Sequence, residues 1–354
     1  MKYLFILLLL SAFIAPSYSQ NAVQLSELTQ ALLSSMSEEQ VAIVQRPFDD
    51  PARTAWTNLP VGMAKRPGLR LGDLSPESKI AFHELLIAIF SSQGYLKATS
   101  IMKLDDVLNE SYQIAFDNGQ INEKRLNRIK DLDWDYENYF LTIWGKPDSK
   151  EPWGIKFGGH HMSINLSVVG QEVSLSPLFL GTDPAEVRDT KYAGLRVMSK
   201  EEDYGFLLIH SLSDEQRDLA TMSGEVPGDI ITNPKSSQRI DSYYGIKGAD
   251  MDKEQQLILM RLIEEYIGNL EYEQASAARS AIQQSGVEEI YFAWIGPYER
   301  RKPHYYIING PDFLIEYDNV GFQNDGNHIH TIYRQKGNDF GEDVLKSHYL
   351  EHKH

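Results

Sequence analysis

Residues 162–168 alternate without a fault: Met162, Ile164, Leu166 and Val168 are apolar, and Ser163, Asn165 and Ser167 between them are polar. Successive side chains of a β-strand point to opposite faces, so this run predicts a strand with one face for a core and one polar face. Strand-like text begins at 139–144, resumes over 153–169, and turns at Gly170-Gln171 into a second strand over 172–180. A polar strand face is solvated in an ordinary antiparallel sheet, or it lines a cavity. By the same alternation His161 shares the polar face and His160 the apolar one. His161 is therefore the ligand candidate, and His160 a buried, supporting histidine. Gly158 and Gly159 leave room for a bulge that would exchange the two roles.

Helical text surrounds these strands. Ser37-Glu-Glu-Gln40 is a capping box, and Ser75-Pro76 starts a helix in which Ile80, Leu85, Leu86, Ile89 and Phe90 recur at helical spacing. Another helix is expected over 96–108, and start signals stand at Asp183, Ser199 and Ser213. Asp252 opens the longest helix, with Leu257, Met260, Ile263 and Ile267 on one face, reaching Gln284 with a break near Gly268. Strands at 289–295, 303–309, 312–319 and 328–334 and a helix over 342–352 complete the chain. Interleaved helices and antiparallel strands predict an α+β fold: a mainly antiparallel sheet with flanking helices and a helical N-terminal portion. One domain is expected over residues 20–354, with the loop 146–151 as a weaker place for a split.

Residues 1–19 read as a signal peptide. Lys2 precedes the apolar run 4–10, Pro16 breaks it, and Ser17-Tyr18-Ser19 suits cleavage after Ser19. The run is too short to span a bilayer and no second one follows, so no membrane anchor is expected and the protein is read as secreted or periplasmic. The chain has no cysteine. Stability must then come from a core, lipid attachment through cysteine is excluded, and any metal must be held by His, Asp, Glu or neutral oxygen. A net charge of −16 argues against nucleic acid as a partner.

The chemistry concentrates in the last third. Glu316 and Asp318 are two residues apart, as are His328 and His330, and Asn324-Asp325-Gly326 between them reads as a turn. If Asn319 pairs with Asn327 in a hairpin, Asp318 faces His328 and Glu316 faces His330. A register shifted by one residue would separate acids from histidines. Arg334 shares the parity of the histidines. One reading is a metal site with His161, His328, His330 and Glu316 as ligands, Asp318 as base or orienting group, His160 behind them, and Arg334 holding an anionic substrate group. A divalent zinc, iron or copper ion suits such donors. A metal-free acid–base site and a purely structural network use the same residues. Asn338 or Asp339 reads as a cap of the last helix. No nucleophile elbow, phosphate loop or dinucleotide fingerprint is present. The expectation is a metal-dependent enzyme, hydrolase or oxidoreductase, acting on a small-molecule or extracellular substrate. The alternative is a non-catalytic extracellular ligand-binding protein.

Trp153-Gly154, Gly158-Gly159-His160-His161, Phe292-Ala293-Trp294, His304-Tyr305-Tyr306, the run from Gly310-Pro311 to Asp318-Asn319, Asn327-His328-Ile329-His330 and Asp339-Phe340-Gly341 together resemble the family catalogued as domain of unknown function 3500. The resemblance runs from about Trp56 to His352 and implies no established activity. Ile307 stands where that pattern leads one to expect a basic residue, and the linker 320–326 is longer than in the pattern.

Overall fold

The computed structural model describes residues 20–147, 151–236 and 239–351; the leader read over residues 1–19 lies outside them. Eleven strands lie among the described residues: β1 (Gln45–Arg46), β2 (Leu69–Arg70), β3 (Phe140–Trp144), β4 (Trp153–Gly159), β5 (Met162–Val169), β6 (Glu172–Thr182), β7 (Ile246–Lys247), β8 (Tyr291–Ile295), β9 (Tyr305–Asn309), β10 (Phe313–Asp318) and β11 (Ile329–Gln335). They form one sheet in the order β1-β3-β4-β5-β6-β11-β10-β9-β8-β7, with β2 added beside β3. Every pair is antiparallel except β1 with β3. The helices are α1 (Gln20–Ser34), α2 (Glu38–Val44), α3 (Pro76–Ile89), α4 (Ser92–Asp117), α5 (Glu123–Lys130), α6 (Ser199–Ser211), α7 (Asp214–Ala220), α8 (Lys253–Ile267), α9 (Tyr272–Ser285) and α10 (Glu342–Glu351). The architecture is α+β, with five of the ten helices among the described residues lying before β3.

The register makes the sheet two-faced. On one face Leu141, Phe157, Ile164, Leu178, Tyr333, Ile315, Ile308 and Phe292 are paired strand to strand, an apolar ladder across eight strands. The helices cover this face: Leu25, Phe82, Ile101, Leu259 and Ile263 belong to the same buried cluster as the ladder. On the other face the corresponding row reads Phe140, Gly158, Ser163, Phe179, Ile332, Glu316, Ile307 and Ala293. Irregular chain covers it. Lys156 donates to the carbonyls of Ala52 (2.9 Å) and Arg53 (2.7 Å), and Ser167 to that of Phe340 (2.9 Å). The polar side of the 162–168 alternation is thus buried under loops.

Capping boxes start α2, α7 and α8 at Ser37, Ser213 and Asp252, and Ser75 caps α3. Four expectations need correction. Residues 183–198 run as turns and bends, so Asp183 starts no helix. α4 covers 26 residues, twice the length read. Leu257 and Ile80 are half exposed or more, because Leu259, Leu262 and Tyr266 on α8 and Phe82 on α3 face the sheet instead. Asp339 caps nothing; it accepts from Ser176 Oγ at 2.7 Å and pairs with Arg334. No described helix is long and apolar enough to cross a membrane.

Candidate metal centre

The long strand read over 153–169 is broken at 160–161. Gly159 pairs with Met162, so β4 and β5 join through a two-residue turn made of His160 and His161. His161 takes the second turn position with φ 62°. That left-handed backbone is uncommon for a residue with a side chain. It is held from both sides: the His161 N–H donates to the Asn58 carbonyl (3.0 Å), and its carbonyl accepts from Gly181 N–H (2.8 Å). His330 sits in β11 between Gly181 of β6 and Asp318 of β10, and His328 immediately precedes that strand. Gly181 is the gap that lets the rings meet. A Cβ there would lie 3.3 Å from both His161 Cδ2 and His330 Cδ2, and 2.5 Å from the Ile329 carbonyl oxygen.

The Nε2 atoms of the three rings converge. His161 Nε2 is 2.7 Å from His328 Nε2, which is 3.0 Å from His330 Nε2. Behind two of the rings stand carboxylates: Asp229 Oδ1 is 2.8 Å from His330 Nδ1, and Asp183 Oδ2 is 3.4 Å from His328 Nδ1. Asp229 at Nδ1 keeps the His330 proton there and leaves its Nε2 as a lone pair, which also lies 3.4 Å from Asn58 Nδ2. A proton on His161 Nε2, or a cation at the centre, can bridge the converging nitrogens, and the three histidines form a group that could hold a metal ion. Ligand bonds of about 2.0–2.1 Å at tetrahedral angles separate nitrogens by roughly 3.3 Å, so the His161–His328 and His328–His330 pairs need to open by only about 0.3 to 0.6 Å. Burial pushes His161 and His328 well below the usual imidazole range, with the neighbouring histidines adding to it. Neutral imidazole is the ligating form.

Over residues 19–342 the chain matches the family described as protein of unknown function, DUF3500. The chain belongs to that family. No curated protein and no solved structure matches it.

His160 turns away from the three nitrogens. Its Nδ1 is 2.6 Å from Asp105 Oδ1, and its ring lies 3.8 Å from that of His161 and 5.7 Å, stacked, from Trp134. The Tyr139 hydroxyl donates to the His160 carbonyl (2.7 Å) and lies 3.2 Å from Asp105 Oδ2. Burial raises the Asp105 carboxyl, and His160 opposes the rise. The acids and histidines do share a face, but the register is displaced by two residues from the one expected. Asp318 is opposite His330, and Glu316 is opposite Ile332.

Glu316 therefore stays outside the nitrogen group. Its oxygens accept from the N–H groups of Ile231 (2.6 Å) and Thr232 (3.2 Å), from Thr232 Oγ1 (2.5 Å) and from the Tyr305 hydroxyl (2.8 Å). The expectation that it ligates a metal is corrected by those four donors. Arg334 is likewise committed, to the Thr232 carbonyl (2.8 Å), Thr232 Oγ1 (3.1 Å) and Asp339, and it does not reach the histidines as a substrate anchor. Both side chains fix the 229–232 loop that carries Asp229. Asp318 Oδ1 accepts from Val320 N–H (3.1 Å), while its buried Oδ2 has no partner among the described residues. Burial, with Asp229 and Glu316 nearby, pushes its carboxyl up to about 8.

Asp105, Asp183, Asp229, Asn58 and Gly181 were not singled out as site residues from sequence. Only Asp105 carried a signal, an acid on the apolar stripe of Ile101, Leu104 and Leu108. A cleft of about 310 Å³ reaches the centre through Asp183 and His328; Tyr112 of α4, Arg125 of α5 and the exposed Phe322 line its walls.

Proposed function

We propose that the protein is a metal-dependent enzyme whose ion is held by His161, His328 and His330. The convergence of three Nε2 atoms, two of them with a carboxylate at the opposite ring nitrogen, carries this reading. Three nitrogen ligands and one free position suit catalytic zinc, which brings the pKa of bound water to about 7 and supports hydrolysis. In this reading Asp229 and Asp183 orient the rings, and Asp318 opposite His330 serves proton transfer. Asp105 and His160 buttress His161 from behind. The substrate enters through the Tyr112–Phe322 cleft. The leader read over residues 1–19 makes this an exported enzyme.

A second reading, an oxidoreductase using copper or iron, is favoured by one feature. The rings of Tyr112, Trp134, His160 and His161 follow one another at 5.5, 5.7 and 3.8 Å, a series along which an electron could pass between the ion and the cleft.

The test is elemental analysis of protein purified without a histidine tag, beside a His328→Ala/His330→Ala variant. About one ion per parent chain is expected, and none in the folded variant; its identity separates the two readings. Absence of metal from the parent after reconstitution with zinc, copper and ferrous iron would overturn both. The network would then be structural, in a ligand-binding protein.

A further inference from the structure

On the same sheet face, on the far side of the 56–58 segment from the histidines, lies a second cavity of about 270 Å³. Phe140, Lys156, Gly158 and Ser163 form its floor on β3, β4 and β5, and the segments 52–57 and 64–67 form its roof. Trp56, Phe140 and Pro67 make it largely apolar. Its charged lining has one sign: Lys65, Arg66 and Lys156 face it, and no carboxylate does among the described residues.

The hydrogen-bond partners of the two inner cations are backbone carbonyls, and Lys156 Nζ also lies 5.5 Å from the Trp144 ring and 5.7 Å from that of Phe340. Lys156 Nζ meets the carbonyls of Ala52, Arg53 and Ala55. Arg66 meets those of Thr57 (3.1 Å), Leu59, Ala64 (3.1 Å) and Gly159 (2.9 Å), and its Nε–H is buried without an acceptor among the described residues. The Ser163 hydroxyl accepts from Asn165 Nδ2 at 3.1 Å, which leaves its own proton to donate. Burial pushes Lys156 down to about 7 and Arg66 down to about 10. Carbonyl dipoles satisfy donors but do not neutralise charge; Asp50 acts on Lys156 and Asp105 on Arg66 only from a distance, and a buried charge so weakly compensated is costly. An apolar cavity with surplus positive charge and spare donors matches an anion with an apolar body.

We propose that this cavity binds a small organic monocarboxylate, its carboxylate at Arg66 and Ser163 in the field of Lys156 and its apolar body against Trp56 and Phe140. The site is separate from the metal centre and does not depend on it. An occupant would press on the wall between them: Trp56 packs on Phe179 (5.2 Å), which packs on His330 (5.3 Å).

The test is titration calorimetry of the full chain with octanoate and benzoate, and with octan-1-ol as the uncharged match. Saturable binding of at least one acid is expected, at least tenfold tighter than that of the alcohol. Ala64→Phe, which fills the cavity and leaves both cations in place, should abolish it. Lys156→Met should weaken it at least tenfold. Equal affinity for alcohol and acid, no saturable binding of either acid, or binding that survives Ala64→Phe would each overturn the proposal. Because Lys156 also ties down the 52–55 segment, Ala64→Phe decides the matter alone if the lysine variant does not fold.

Discussion

Lys156 and Phe157 are neighbours in β4 and live in different surroundings. Phe157 packs on Phe82 at 4.7 Å within the helix-covered core. Lys156, one residue away, is also buried but is held by three carbonyls of a loop. The difference teaches where each kind of stability comes from. The helix-covered face depends on apolar area removed from water, which is tolerant of which side chain supplies it. The loop-covered face depends on individual donors meeting individual acceptors, and each of those is expensive to leave unmade. A site can be built on the second face because its polar groups are already oriented before any ligand arrives.

The largest effect should come from the apolar face. Phe157→Ala is expected to lower stability by about 3–5 kcal/mol in chemical denaturation, with metal content unchanged. A loss of bound metal in a folded Phe157→Ala protein would break the separation of the two faces.

Next comes His304, a polar intruder on the apolar side, stacked on Trp294 at 4.5 Å and beside Phe206. Burial holds its ring down to about 4, against an ordinary 6.5. Above pH 6.5 the ring is neutral folded and unfolded, and stability does not depend on it. As pH falls from 6.5 towards 4 the unfolded chain takes up the proton first. About 3 kcal/mol is lost across that window and none below it. His304→Phe should remove this part of the pH dependence. Urea midpoints at pH 7, 5.5 and 4.5 check it, and parallel curves for parent and variant would count against a neutral buried ring.

The smallest effect on folding, and the most specific, is Asp229→Asn. The carboxylate is partly exposed, and asparagine keeps the Oδ1 that accepts from Ile230 N–H (2.8 Å) and meets the outer nitrogen of His330, so the melting temperature of the metal-free protein should scarcely move. Metal affinity should fall about 10–100-fold, read by competition with a chelator. An unchanged affinity would mean that the pairing does not orient the ring.

The fold was legible where signals were local. Capping boxes at Ser37, Ser213 and Asp252 and the alternation over 162–168 depend on neighbours within a few residues, and the structure keeps them. That Glu316 and Asp318 point to one side of their strand was legible for the same reason; whether they share a face with the histidines was not. The register was not, because the segment 319–328 wanders before β11 begins and displaces the pairing by two residues. The acid partners were not legible either. Asp105 and His160 are 55 residues apart, and Asp229 and His330 are 101 apart; nothing local announces such a pair. Glu316 misled for a related reason. A strand carboxylate that two histidines follow reads as a ligand, until a loop some 84 residues away supplies the amides that occupy it.

The left-handed backbone at His161 makes that position a place where folding and chemistry want different residues. A turn with this geometry prefers glycine or asparagine, which adopt it with little strain. A library of variants sorted only for heat resistance should therefore drift away from histidine at 161, gaining robustness while erasing one of the three converging nitrogens. Sorting the same library for retained metal should hold that histidine in place against the gradient. The frequency of glycine at a single codon would then report which of the two pressures the molecule is under.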